Sequence, residues 1–300
     1  MKSNCDIFKN RYFIFLIAGL FSVVMSLIQL KIPEKNLYFS CFMSIINVIL
    51  CYGIVSVFFL KKRKSSYFEF DIKDVLLAVV LGVFTVFICY FFQNAFFNFL
   101  YAITGYIPEK YITLVENIIF EENYYSVIER VILVFSFGII TPFFEELFFR
   151  FVMLENYEEN SLILRMIMVN LCFILMHDDT DLLIFITPLS IVCCWLMHSM
   201  RCFLYPFFAH AIVNVVGIME LPIDEVAFSP RYAIEYNEKQ TALINGIFNI
   251  VLMAFFVFLI NLITKRRAKN SKANWINSDI KENVKYFISV LCYLLLQCFA

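Results

Sequence analysis

Charge is scarce in this chain. Only 16% of its 300 residues are Asp, Glu, Lys or Arg, against about a quarter in soluble domains. The charges nearly cancel, to a formal −1, so the basic footprint of a nucleic-acid-binding protein is missing and no nucleic acid is expected among the partners. Glycine is rare, at 7 residues, and there is no internal repeat or low-complexity stretch. The 10 cysteines include no C-x-x-C pair and lie mostly in apolar runs. They read as small buried hydrophobes rather than as a disulfide framework or a zinc site. No H-E-x-x-H motif occurs.

What the chain has is apolar bulk: 62% hydrophobic residues and 37 phenylalanines. That composition fits an all-α class, a polytopic membrane helix bundle with about eight transmembrane helices. The spans are expected at roughly 12–31, 37–60, 74–104, 127–154, 162–177, 182–199, 202–220 and 242–263. The first run is too long for a signal-peptide core and lacks a small-residue cleavage site, so it is expected to stay as the first span. Gln93 and Asn94 interrupt the third span and are expected to hydrogen-bond between helices. A short amphipathic helix is expected around 111–120. The apolar piece 286–299 is short for a span, and 268–300 is expected to form a cytoplasmic or interfacial tail. Residues 1–300 read as one membrane domain.

Orientation follows from basic residues. Lys61–Lys64, Lys265–Arg267 and the basic N-terminus should all be cytoplasmic. Eight spans satisfy all three at once. The chain is therefore expected to be a multi-pass protein of the cell membrane with a cytoplasmic N-terminus.

The stretch Thr141-Pro-Phe-Phe-Glu145-Glu146-Leu-Phe-Phe-Arg150 sets three charges inside an apolar run. Each such charge costs ~3 kcal/mol at mid-bilayer on insertion scales. Thr141 is suited to cap a helix and Pro142 to open it, which places both glutamates early, where the macrodipole favours them. Arg150, four residues after Glu146, shares its face and can pair with it. Glu145 points about 100° away and is left for chemistry. The competing explanation is a structural ion-pair cluster between helices.

Three histidines are present: His177, His198 and His210. His210 and Asn214 are one turn apart on the seventh span and face the same way. His198, beside Arg201 at a span end, reads as interfacial. Glu145 and His210 each lie about nine residues, ~14 Å, from the inner ends of their spans, whereas His177 lies ~22 Å from its own.

Glu145-Glu146-x-x-x-Arg150, Phe173-x-x-x-His177 and His210-x-x-x-Asn214 together resemble the three-motif signature of the CAAX protease and bacteriocin-processing family of intramembrane endopeptidases. They cover roughly 127–220, the expected catalytic core. The resemblance implies Glu145 as general base on a water, with His177 helping to place it. It implies His210 and Asn214 as donors to the oxyanion. Arg150 would tie down Glu146 as a structural ion pair. The family has also been described as metal-dependent, and a Glu/His/His set could hold zinc with an open position. Asn is a poor zinc ligand, so hydrolysis without a cofactor is the favoured expectation. Asp178, Asp179 and Asp181 could be further ligands, but read better as a solvated turn.

The expected partners are the bilayer and a peptide or protein substrate, lipidated or not: a prenylated protein or a secreted-peptide precursor. A non-catalytic immunity or scaffold protein that keeps the polar motif structurally is the alternative. A proton-coupled transporter would also use buried acids, but there is no inverted repeat or matched pair of broken helices.

Overall fold

The computed structural model describes residues 37–54, 56, 65–107, 126–154, 162–177, 183–219 and 238–270. Seven helices lie among them: α1 Leu37–Ile54, α2 Ile72–Thr104, α3 Val127–Leu154, α4 Leu162–Leu175, α5 Leu183–Met200, α6 Leu204–Ile218 and α7 Lys239–Asn270. No strand occurs among the described residues. The architecture is an all-α polytopic bundle. The helices fall on seven of the expected spans. Four of them (α1, α2, α3 and α7) are long and apolar enough to cross a membrane, and α4, α5 and α6 are shorter apolar helices. The expected first span, the amphipathic helix at 111–120, the Asp178–Asp181 turn and the 286–299 piece lie outside the described residues.

Helix α2 starts where its sequence says it should. Asp71 accepts from Asp74 N at 2.9 Å, and the Asp74 carboxylate accepts from Asp71 N at 3.1 Å. This reciprocal box satisfies two donors that a helix start leaves open. A largely apolar run, interrupted by Gln93 and Asn94, then carries the helix to Gly105, which takes the left-handed conformation at φ 70° and ends it. Of the two amides expected to bond between helices, Asn94 is buried with its Nδ2 unpaired.

Helix α7 packs antiparallel on α2. Phe256 stacks on Phe87 with ring centroids 4.8 Å apart, while a β-carbon on Gly246 would touch the ring of Phe99. Helix α6 crosses α2 at Gly82. A β-carbon there would come within 2.5 Å of Ile212 Cδ1 and 3.0 Å of the Phe208 carbonyl oxygen. Only glycine allows this approach. Leu81, Cys89, Leu196 and Tyr205 fill the core between α2, α5 and α6. A second core joins α1, α3, α4 and α5 through Tyr52, Phe148, Phe149, Phe151 and Phe173.

One end of the bundle is tied by polar contacts. Tyr205 donates to Asp74 at 2.6 Å, Phe203 N to the Tyr67 carbonyl at 3.0 Å, and Arg201 to the Tyr67 hydroxyl at 3.2 Å. Phe151, near the end of α3, packs on Tyr67 and Phe68. The starts of α2 and α6 and the ends of α3 and α5 therefore share one side, as the expected alternation of spans requires.

Candidate active site

Helix α3 carries the acidic stretch, and it begins well before it. Ser126 accepts from Glu129 N at 3.3 Å, and the Glu129 carboxylate accepts from Ser126 N at 2.8 Å. Thr141 is helical at φ −59°, ψ −54° and does not cap a helix start. Glu145 and Glu146 thus stand about five turns into a continuous helix, away from its positive end, and the expected dipole support does not apply. What the sequence does mark there is a change of pitch. Val134–Ile140 widens into a π-helical segment, Thr141–Glu146 returns to α, and Leu147–Leu154 widens again. Such wide turns often accompany functional positions.

The expected pair forms. Arg150 Nε lies 3.0 Å from Glu146 Oε2, both side chains fully buried. Glu146 has a second partner that the sequence did not announce: its Oε1 is 2.9 Å from His210 Nδ1. A carboxylate oxygen accepts, so Nδ1 carries the hydrogen. His210 Nε2 then faces Glu145 Oε2 at 3.7 Å. The imidazole stands between the two glutamates, so Glu146 is not reserved for arginine and Glu145 is not isolated. Glu145, Glu146, Arg150 and His210 are all buried.

His177 joins them through an aromatic ring. Helix α4 ends at Leu175, and His177 folds back so that Nδ1 donates to the Phe173 carbonyl at 2.8 Å. Its ring centroid is 4.7 Å from that of Phe173. The edge contact of Phe173 with His210 is 5.7 Å, and the Arg150 guanidinium lies over the same phenyl ring at 4.3 Å. Asn214 faces α3, as its spacing from His210 predicts, but reaches a different group: Nδ2 donates to the Phe137 carbonyl at 2.9 Å. His198 has Arg165 and Arg201 as charged neighbours, in keeping with a span end.

Two residues of the network were missed by sequence reasoning. Arg150 donates to Ser190 Oγ at 3.1 Å, and Ser190 donates to Asn170 Oδ1 at 2.7 Å, which Cys194 also approaches at 3.2 Å. The signal was available for Asn170. It is the one amide in the apolar run 162–176 and stands three residues before Phe173 and seven before His177, on their face. Ser190 carried no comparable mark.

The network links α3, α4, α5 and α6, and the comparison with known families falls on those same helices. Residues 127–216 match the family model described as type II CAAX prenyl endopeptidase Rce1-like. This part of the chain, under a third of its length, is similar to that family. No curated protein and no solved structure matches the chain. The Rce1-like segment contains Glu145, Glu146, Arg150, His177, His210 and Asn214. Among the described residues no three His, Cys, Asp or Glu side chains are grouped so as to hold one metal ion. The seven described cysteines are buried and none is in a disulfide.

Proposed function

We propose that the protein is an intramembrane endopeptidase that hydrolyses a peptide bond with a glutamate-activated water. The observation that carries this reading is the buried Glu145–His210–Glu146 arrangement inside the Rce1-like segment. Glu145 takes a proton from a water as the new C–O bond forms at the scissile carbonyl. His177 helps to place that water. Asn214 donates to the oxyanion, and so does His210 from Nε2 when that nitrogen also carries a hydrogen, its Nδ1–H being held by Glu146. Collapse breaks the C–N bond, and the proton held by Glu145 passes to the leaving nitrogen. Glu146 and Arg150 hold the arrangement rigid. The reaction in this reading needs no metal.

The substrate class follows the name of the matching family: a prenylated protein ending in C-a-a-X, with a secreted-peptide precursor as the second candidate. The protein is read as residing in the cell membrane with its N-terminus in the cytoplasm. The deciding experiment compares wild type with Glu145→Gln in detergent, on C-a-a-X and leader-peptide libraries, with and without a zinc chelator. Cleavage lost in the variant and kept with chelator supports the proposal. Loss with chelator moves the chemistry to a metal.

A second reading has one observation in its favour. The Glu146–Arg150–Ser190–Asn170 network joins three helices, which is what a non-catalytic membrane partner retaining the motif would need. An unchanged cellular phenotype in His210→Ala would favour that reading.

A further inference from the structure

The Phe137 carbonyl is short of helical donors. In an α-helix it would accept from residue 141, and in a π turn from residue 142. Thr141 N donates instead to Ser136 O, and Pro142 has no N–H to donate. Asn214 Nδ2 supplies the missing hydrogen at 2.9 Å. Two neighbouring facts show how closely this contact is built. A β-carbon on Gly138 would come within 2.8 Å of Val215 Cγ2, so the bare glycine lets α6 approach at this level. The Thr141 hydroxyl would ordinarily bond back to the carbonyl four residues earlier, which is Phe137 O. It is instead buried without a partner.

A carbonyl only accepts, so the contact fixes which end of the Asn214 amide faces α3. Nδ2 carries two hydrogens, and this bond uses one. The geometry points to Pro142 as the positioning residue of Asn214: by leaving the Phe137 carbonyl open, it orients the amide so that the second hydrogen serves the oxyanion. This rests on the endopeptidase reading above. It adds that the wide turn before Glu145 and the donor on α6 are one device, built from a missing N–H on one helix and an amide on the other.

Four proteins test it: wild type, Pro142→Ala, Asn214→Ala and the double variant. Each is measured by backbone hydrogen exchange across residues 134–146 and by steady-state cleavage. Asn214→Ala should speed exchange there and lower kcat ~10²-fold with KM held. Pro142→Ala restores a backbone donor, so exchange stays slow, while kcat falls about tenfold because the amide is no longer held. The double variant should recover slow exchange but not cleavage. Wild-type exchange in Asn214→Ala, or wild-type kcat in Pro142→Ala, overturns the proposal. Recovered cleavage in the double variant also overturns it, by making Asn214 a structural clasp alone. Exchange needs no substrate. A wild-type protein that cleaves nothing therefore sinks the endopeptidase reading and the catalytic half of this one, and the exchange difference still decides the clasp.

Discussion

Glu146 divides its two oxygens between two helices: Oε2 goes to Arg150 on its own helix at 3.0 Å, and Oε1 to His210 on α6 at 2.9 Å. Neither contact can be removed alone. Glu146→Gln keeps the shape but loses the charge that balances a buried guanidinium. Breaking a buried pair in this way costs about 3–5 kcal/mol. We expect a clear fall in the unfolding midpoint of the detergent-solubilised protein, together with lost cleavage. A midpoint equal to wild type would show that Arg150 finds its counter-charge elsewhere.

Glu145→Gln should behave differently. Among the described residues Glu145 makes no contact as short as those of Glu146; its charged partner there is His210 Nε2 at 3.7 Å. The variant should insert and unfold like wild type, yet lose the ~10²–10⁴-fold that a general base contributes. Comparing the two glutamine variants, by cleavage rate and by unfolding midpoint, separates chemistry from support.

Phe173 is the ring on which the site is stacked. It touches Arg150 at 4.3 Å, His177 at 4.7 Å and His210 at 5.7 Å. Phe173→Leu keeps a large apolar side chain but removes the flat face. A desolvated cation–π contact is worth about 2 kcal/mol and an aromatic pair about 1. The expected result is a lower midpoint by a few degrees and a kcat reduced roughly tenfold, since both histidines lose their common support. Full activity in this variant would mean that the histidines are held by other groups.

Gly82→Val tests the fold at a distance from the chemistry. Its side chain would meet Ile212 Cδ1 and the Phe208 carbonyl, and the second is backbone and cannot swing aside. Overpacking of this kind costs about 1–3 kcal/mol or more. It should also shift α6, which carries His210 and Asn214. Reduced yield of folded protein and reduced cleavage are expected together, read by size-exclusion profile and by rate.

The sequence was informative where polar residues interrupt apolar runs. The bundle, the helix positions and the Glu146–Arg150 pair follow from spacing and composition. Glu145, Glu146, Arg150, Phe173, His177 and His210 are linked by contacts, whereas Asn214 reaches the Phe137 carbonyl. Spacing along one helix cannot reveal that His210, on another helix, comes between the two glutamates. It cannot show that His177 turns back over Phe173 once its helix has ended. Thr141-Pro142 was misread as a helix start because the same dipeptide serves inside a helix when the turn widens. What the sequence signalled there was an irregularity in backbone bonding, and only the neighbouring helix shows how it is met.

Three of the four helices that bear the site are short in their described residues. Helices α4, α5 and α6 have 14, 18 and 15 residues, or ~21, ~27 and ~22 Å at 1.5 Å per residue. The hydrocarbon layer is ~30 Å thick, and α2 beside them, at 33 residues, is long enough to cross it at a slant. A bilayer accommodates short apolar rods beside a long one by thinning over them. Thinning here would shorten the path of water to His210 and Glu145, and the hydrolysis proposed above would consume one water at each turnover.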